Sequence, residues 1–179
     1  MALEKDRICA TGLAILEAEG FEALSLRKIA DALGVQTPAL YWYVKDRAEL
    51  YGLMAEAMLR EVLADIGHDL SGRDWLIAFG RALRASHLRR RDSAKLAAFV
   101  KPSPLMRTEL LEHIVARVMA GGVERQRAFL AQSAVQSFTL GWSLFQGNED
   151  VSNLMSQVVD PAAGFEESLV ALADGLTSS

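Results

Sequence analysis

Three aromatic residues follow one another in the stretch LGVQTPALYWYVKDRAEL, residues 33–50. Successive residues of an α-helix are about 100° apart, so Tyr41, Trp42 and Tyr43 together span about 300° of a helix and cannot all face one core. We expect Tyr41 and Tyr43 to face a partner, and leave Trp42 open. Cations that can bind phosphate groups lie just before this stretch and within it: Arg27, Lys28, Lys45 and Arg47.

The side chains that catalysis or metal binding would need are not grouped in the sequence. His68, His87 and His113 are scattered and lack the HxxxH or HExxH spacing of metal ligands. Ser86 and His87 are adjacent along the chain, and no acid–base motif accompanies them. The single cysteine, Cys9, can form neither an intramolecular disulfide nor a zinc site by itself. We therefore expect no metal, no cofactor and no enzymatic activity.

Charge is divided unevenly along the 179 residues. The net charge is −4, yet residues 128–179 contain six acidic and no basic side chains. The remainder is slightly basic, and a local basic surface is sufficient to bind phosphates. We expect the two parts of the chain to face different partners.

The composition is that of a packed globular protein, with 51% hydrophobic and 23% charged residues. No uninterrupted apolar stretch approaches the roughly 18 residues of a membrane span, and the first residues lack the pattern of a signal peptide. We expect a cytoplasmic protein without a membrane partner.

Apolar residues recur with the helical period along nearly the whole chain, and no segment alternates like a strand. The predicted fold is all-α, with helices over residues 4–19, 26–33, 38–44, 46–67, 75–89, 93–99, 105–120, 123–146, 151–159 and 162–176. Ser25 caps the second helix, Gly34 ends it, and the Thr-Pro pair at 37–38 begins a third. Two short helices joined by a tight turn form a helix-turn-helix. Asp46 with Glu49 predicts a capping box for the fourth helix.

The segment LSLRKIADALGVQTPALYWYVKDRAEL, residues 24–50, resembles the DNA-binding signature of TetR-family transcriptional regulators, and the likeness runs from about Ile8 through Leu59. The segments AVQSFTLGWSL (134–144) and RDSAK (91–95) are similar to parts of the tetracycline repressors of that family. The resemblance implies a helix-turn-helix domain over residues 1–47 and a helical ligand-binding and dimerisation domain over residues 48–179. It also implies a homodimer joined by a four-helix bundle, a palindromic double-stranded DNA operator and a small organic effector. Repression is the usual mode of action in the family.

The resemblance also implies which side chains contact DNA. The matching positions, with their polar and basic neighbours, are Arg27, Lys28, Gln36, Thr37, Ala39, Tyr41, Tyr43, Lys45 and Arg47. Thr37 and Ala39 take positions that contact bases in the family. Tyr41 and Tyr43 take positions that contact phosphates.

Two arginines have distinct expected roles by the same likeness. Arg27 takes the base-reading position of the second helix, where a guanidinium group can bind O6 and N7 of guanine. Arg47 is expected to hold the DNA backbone from the start of the fourth helix. From their spacing alone, Leu40 and Val44 should anchor the third helix to its own core.

Apolar and aromatic residues of the later helices offer material for a ligand pocket. The candidates are Phe79, Leu83, His87, Phe99, His113, Gln132, Gln136, Phe138, Trp142 and Phe145. For each of them, ordinary core packing or the dimer interface is an open alternative. The turn at residues 89–95 is expected near the fourth helix, as in the similar proteins, where a ligand could shift that helix.

A tetracycline–magnesium complex does not fit the positions that the resemblance aligns with its ligands. Those positions hold Ala97, Val100, Ser137 and Phe145. A hard cation needs oxygen ligands or water held by carboxylates, which these residues do not provide. We expect a neutral or weakly polar organic ligand bound without metal. The alternative function is a helical interaction or ligand-sequestering protein that does not bind DNA specifically.

Overall fold

The computed structural model describes residues 4–178, and all regular structure in that range is helical. The helices are α1 (Lys5–Glu19), α2 (Leu26–Leu33), α3 (Thr37–Leu40), α4 (Arg47–Ala64), α5 (Gly72–Arg89), α6 (Ser93–Ala98), α7 (Leu111–Met119), α8 (Arg125–Gln146), α9 (Glu149–Ser156) and α10 (Pro161–Thr177). A 3-10 turn at Phe21–Ala23 follows α1, and a π-helical turn at Met106–Leu110 leads into α7. The all-α prediction is confirmed.

The first apolar core lies among α1, α2, α3 and the first half of α4. Leu16, Ile29, Leu40 and Met54 are fully buried in it. Leu96 of α6 is also fully buried in this core, although α6 follows much later in the chain. The N-terminal helices are therefore attached to the rest of the protein by apolar packing as well as by the chain itself.

The second core lies among the end of α4, α5, α7, α8 and α10. Trp75 and Phe79 of α5 stack there with their ring centroids 5.2 Å apart. Val118, Val135 and Leu169, from α7, α8 and α10, are fully buried in the same core. Helix α8 packs against α5, α7 and α10 and so holds the second core together.

Helix α4 contributes to both cores. Met54 and Met58 belong to the first core, while Leu59 and Val62 belong to the second. The apolar packing thus changes from one core to the other inside α4, beyond the domain boundary predicted after residue 47. A displacement of α4 would have to disturb both cores.

Two carboxylates of the acidic C-terminal segment are paired within the chain. The guanidinium Nε of Arg81 lies 3.0 Å from both carboxylate oxygens of Glu166, and Arg73 pairs with Asp174. These contacts lower the pKa of Glu166 and of Asp174 below their usual values. The sequence did not show what the acidic C-terminal segment faces. For Glu166 and Asp174, the answer is α5 of the same chain.

Gly80 lies where α5 crosses α8 and α10. A Cβ atom there would be 2.5 Å from Cδ1 of Leu169 and 3.1 Å from Cγ1 of Val135, both fully buried side chains. We expect Gly80→Ala to lower the free energy of unfolding by about 1–3 kcal/mol, because the crowding outweighs the better helix propensity of alanine. Urea denaturation at constant protein concentration measures this change.

Gly175→Ala in α10 is the matched control, because a Cβ atom at Gly175 meets no heavy atom within 4 Å. We expect this variant to gain up to about 1 kcal/mol. A Gly80→Ala protein as stable as the wild type would contradict the packing described.

Candidate nucleic-acid interface and ligand cavity

A capped helix and a glycine turn build the helix-turn-helix. The Ser25 hydroxyl accepts a hydrogen bond from the Lys28 N–H group at 3.2 Å and caps α2. Gly34 ends α2 in the left-handed region (φ 68°, ψ 30°), which glycine adopts without steric cost. The Val35 N–H group then donates to the Ala30 carbonyl at 3.0 Å. Helix α2 therefore begins and ends at the predicted residues, Ser25 and Gly34, and the predicted turn between α2 and α3 is present.

Helix α3 is one turn long, rather than the predicted two. Its N-cap residue is Gln36 rather than Thr37, and the Gln36 side chain makes no capping bond. The backbone continues to turn after the helix, because the N–H groups of Tyr43 and Val44 donate to the Leu40 carbonyl at 2.9 and 3.0 Å. Leu40 and Val44 are fully buried, which confirms that this pair anchors the segment.

The three aromatic residues differ in exposure, as their spacing requires. Tyr41 is 54% exposed and Trp42 is 88% exposed, whereas Tyr43 is half-buried against the first core. Trp42, which sequence reasoning left open, thus offers more surface to a partner than either tyrosine. That Tyr41 and Tyr43 contact phosphate stays a prediction.

The cations beside α3 differ in how strongly they are held. The Arg27 side chain is 87% exposed, and its only ion pair among the described residues is with Asp31 at 4.0 Å. An exposed pair of this kind contributes little and leaves the guanidinium group available to a ligand. Lys28 pairs with Glu19 of α1. Gln36 and Lys45 are exposed, and Thr37 and Ala39 are half-buried.

Arg47 bonds inside the protein, which sequence reasoning did not anticipate. Its Nη2 atom donates to the Leu24 carbonyl at 3.0 Å and to the Tyr51 hydroxyl at 2.7 Å. The capping bond of Asp46 is as predicted, with its Oδ1 accepting from the Glu49 N–H group at 2.7 Å. Arg47 therefore fixes the start of α4 to the segment before α2, so any contact with DNA would compete with these bonds.

A cavity of about 200 Å³ lies between α4, α5, α6 with the segment after it, and α8. Four residues of α4 line one side: Ala55, Met58, Leu59 and Val62. Ala97, Val100, Pro102, Met106 and Leu140 supply most of the other apolar walls. A ligand in this cavity would therefore touch the helix that joins the two cores.

Few polar groups reach the cavity. Ser86, His87 and Gln136 line it, and its lining includes no charged side chain. His87 Nδ1 lies 3.1 Å from Ser143 Oγ. Burial lowers the pKa of His87 from its ordinary value of 6.5 to about 4, so its ring is neutral at physiological pH.

Three of the residues predicted to bind ligand meet at this cavity: Leu83, His87 and Gln136. Phe79 is one helical turn from Leu83, but it is fully buried in the second core. Gln132 is also buried, with its amide nitrogen donating to the Ser133 hydroxyl at 2.8 Å. Neither Phe79 nor Gln132 lines the cavity.

The remaining candidates lie farther away. Phe138 and Trp142 pack against Phe165 of α10, and the Trp142 N–H group donates to the Pro161 carbonyl at 3.2 Å. His113 and Phe145 are exposed, and Phe99 stacks on Phe21 of the first core at 5.5 Å. In this subunit, these residues therefore either pack against other helices or lie on the surface, and none of them lines the cavity.

Sequence reasoning missed the α4 side of the cavity and Ser86. The apolar stripe of α4 includes Met54, Ala55, Met58, Leu59 and Val62, which is wider than one small core can cover. That width could have indicated a second surface for α4 to line. Ser86 carried no recognisable signal.

The turn after α5 contacts the N-terminal helices directly. Asp92 accepts a hydrogen bond from the Phe21 N–H group at 3.0 Å. Although burial opposes it, this bond together with Lys95 lowers the pKa of Asp92 below its usual value. Arg90 pairs with Glu61 of α4 at 2.8 Å. The predicted proximity of this turn to the fourth helix is therefore present.

Comparison with known proteins identifies the family. The family model for bacterial regulatory proteins of the tetR family matches residues 8–54. The tetracycline repressor protein class A from transposon 1721 of Escherichia coli is 30% identical, over 97% of this chain and 90% of the relative. The chain belongs to the TetR family. It is thus a ligand-responsive DNA-binding transcriptional regulator that functions as a homodimer.

Solved structures extend the family likeness over the whole fold. TetR-Q116A from Acinetobacter baumannii AYE, in complex with minocycline, is 30% identical with a TM-score of 0.82, covering 99% of this chain and 100% of that one. BioQ with its double-stranded DNA operator is 28% identical with a TM-score of 0.76 and the same coverage. No helix within residues 4–178 combines the length and the hydropathy needed to cross a bilayer.

The partly buried His87 makes stability depend on pH. Its pKa is about 4 in the folded protein, below the ordinary 6.5, so the unfolded chain binds the proton more readily. Stability present above pH 6.5 is lost as the pH falls toward 4. We expect this group to remove about 2 kcal/mol from the free energy of unfolding between about pH 7 and pH 5.

Urea denaturation of wild type and His87→Leu across that range isolates the effect from the carboxylates, which titrate in both proteins. The His87→Leu profile should be flatter. His68→Leu, at an exposed histidine, should keep the wild-type slope. Parallel profiles for wild type and His87→Leu would show that the His87 ring is not desolvated in the folded protein.

Proposed function

We propose that the chain is a transcriptional repressor that a small, neutral organic molecule releases from a palindromic operator. The observation that carries this proposal is the wall that the cavity shares with α4, because α4 also packs in the core of the helix-turn-helix domain. We infer a regulatory rather than catalytic role, exercised in the cytoplasm, where the operator DNA lies. We propose the boundary between the DNA-binding and ligand-binding parts after residue 47, at the start of α4, although the packing of the first core continues into α4 as far as Met58.

The DNA-reading residues are those around the exposed end of the helix-turn-helix. Arg27 reads a base, while Thr37 and Ala39 lie along α3 where base edges come closest. Lys28, Gln36, Tyr41, Tyr43 and Lys45 provide the surrounding contacts. The exposed Arg27 guanidinium group, whose only ion pair within residues 4–178 is the long one with Asp31, supports this assignment. Arg47 acts mainly by holding α4 against the helix-turn-helix.

Release requires the ligand to favour a conformation whose two recognition helices no longer match the DNA. Successive major grooves on one face of B-DNA are about 34–36 Å apart. A ligand in the cavity presses on Ala55, Met58 and Leu59 of α4, and α4 carries the first core with it. A tilt of α4 that changes the separation of the two α3 helices by several ångströms would misplace one half-site.

Two contacts transmit movement in parallel with α4. The Asp92 carboxylate accepts a hydrogen bond from the Phe21 N–H group, and Arg90 forms an ion pair with Glu61. The turn after α5 is therefore bonded to both the first core and α4. The segment after α6 also lies close to α4 at Gly52. The space is so small that a Cβ atom at Gly52 would be 2.8 Å from the Lys101 carbonyl oxygen. Val100 and Pro102, on either side of Lys101, line the cavity.

The donor set of the cavity supports an effector bound without metal. Ala97 and Val100, which take positions of tetracycline–magnesium ligands in the resemblance, contribute only apolar surface to the cavity. A hard cation would find no carboxylate in its lining.

Dimerisation involves α8 and α10 of each subunit. These helices pack side by side, and Phe129, Leu130 and Phe145 of α8 are exposed in the isolated subunit. Exposed large apolar side chains on one helix are typical of a protein–protein interface. A four-helix bundle would cover Leu130 and Phe145, which lie on one face of α8, whereas Phe129 lies beside α7.

The DNA-binding role is tested by gel shift on the DNA flanking the coding region, over a series of salt concentrations. Wild-type binding should weaken steeply as salt rises. Arg27→Ala should weaken binding by about 1–3 kcal/mol without altering the dimer. Arg125→Ala is the control, because it removes the same charge from the N-terminus of α8, where Arg125 pairs with Glu112.

Equal operator affinity in wild type and Arg27→Ala would overturn the assignment of Arg27. Failure of the wild-type dimer to prefer any flanking DNA over unrelated DNA would favour the alternative, a ligand-sequestering protein that does not bind DNA specifically.

Filling the cavity should abolish the response to ligand. Ala97→Leu places a larger side chain in the cavity, whereas Ala98→Leu places it on the exposed side of α6. We expect Ala98→Leu to bind the operator within about twofold of wild type, and Ala97→Leu to bind it more weakly, since a side chain that fills the cavity presses on α4 as a ligand would. Small molecules that raise the melting temperature of the wild type should do so for Ala98→Leu and not for Ala97→Leu. Equal ligand shifts in both variants would place the effector elsewhere.

A further inference from the structure

Two hydrogen bonds fix the tautomer of His87. Its Nδ1 atom lies 3.1 Å from Ser143 Oγ, and the Ser143 hydroxyl donates to the Thr139 carbonyl at 2.8 Å. A serine hydroxyl has a single proton to donate. Because that proton is used at Thr139, Ser143 accepts from His87, and Nδ1 carries the ring proton. In the neutral ring, Nε2 is then an acceptor available to a ligand.

Ser86 offers a second polar group to the cavity. It is 1% exposed, and its hydroxyl oxygen has no hydrogen-bond partner within the described residues. A buried hydroxyl without a partner is unfavourable, so a ligand that bonds to it gains affinity. The Ser86 hydroxyl can donate or accept, whereas Nε2 of His87 can only accept.

The remaining lining selects for a neutral ring system. No charged side chain lines the cavity, so an ionised ligand would lose its hydration without gaining a counter-charge. The volume is about 200 Å³, whereas an apolar cavity of about 150 Å³ is enough to hold benzene. There is room for one substituted ring or two fused rings.

We propose that the effector is a neutral hydroxylated aromatic molecule of one or two rings. Its hydroxyl group donates to Nε2 of His87 and accepts a hydrogen bond from Ser86. This inference deepens the proposed function, since it names the chemical class of the molecule that releases the DNA. Ser143 acts as a positioning residue, because it determines which ring nitrogen can accept.

The test compares three probes of similar shape by isothermal titration calorimetry with the full-length dimer. 2-Naphthol has the hydroxyl group, 2-methylnaphthalene replaces it with a methyl group, and 2-naphthoate carries a negative charge. We expect 2-naphthol to bind about tenfold more tightly than 2-methylnaphthalene, and 2-naphthoate to bind most weakly.

Variants show whether the preference arises at His87. In His87→Leu, the ratio of the 2-naphthol and 2-methylnaphthalene affinities should fall to near one, whereas His68→Leu should keep the wild-type ratio. Ser143→Ala retains the ring and releases its tautomer, so the ratio should fall severalfold without reaching one. Circular dichroism establishes that each variant is folded, and Ser143→Ala still tests the proposal if His87→Leu is unfolded.

Several results would overturn the inference: equal affinity of the wild type for 2-naphthol and 2-methylnaphthalene, binding of neither, tighter binding of 2-naphthoate, or an unchanged ratio in His87→Leu or Ser143→Ala. Gel shifts on the operator distinguish this failure from failure of the proposed function. A dimer that binds its operator but shows no hydroxyl preference refutes only the inference. A dimer that never binds DNA specifically refutes the proposed function, whatever the calorimetry shows.

Discussion

Burial of α4 in two cores is the constraint on which the rest of the structure depends. Its first half packs in the first core, which supports the helix-turn-helix, and its second half packs in the second core. Between them, Ala55, Met58 and Leu59 line the cavity. Because closely packed interiors transmit displacement rather than absorb it, a molecule inserted against α4 acts on both halves of the protein. The proposed ligand site and the proposed DNA-binding surface are therefore linked by one element.

Hydrogen bonds and an ion pair also connect α4 and the first core to the rest of the protein. Asp92 and Arg90 extend from the turn after α5 to the first core and to α4, and each is held in a defined hydrogen-bonding geometry. On the DNA side, Arg47 ties the start of α4 to the Leu24 carbonyl. Helix α4 is consequently held near its start, at Arg47, and near its end, at Glu61, and the orientation of the helix-turn-helix follows that helix.

Local features of the fold were accessible from the sequence. Ser25, Gly34 and Asp46 predicted the ends of helices, because caps and left-handed glycines depend on a few neighbouring residues. Leu40 and Val44 were recognisable as anchors from their spacing. The family itself was visible in residues 24–50. These predictions depend on short-range chemistry, which the order of residues expresses directly.

The site could be predicted only in part, because membership of a cavity depends on which helices oppose one another. Phe79 and Leu83 share one face of α5 by spacing, yet Leu83 reaches the cavity while Phe79 stacks on Trp75. Arg47 illustrates the same point, since its partner at Leu24 is 23 residues away along the chain. The tautomer of His87 likewise depends on Ser143, which only the packing of α5 against α8 brings near.

The exposed Phe129, Leu130 and Phe145 of α8 have a consequence for how much regulator a cell must keep. In the proposed dimer a lone subunit would leave Leu130 and Phe145 in water, so folding and association would be coupled and resistance to heat would rise with the total amount of protein. When growth and division dilute the regulator, intact dimers and occupied promoters decline more steeply than the number of chains.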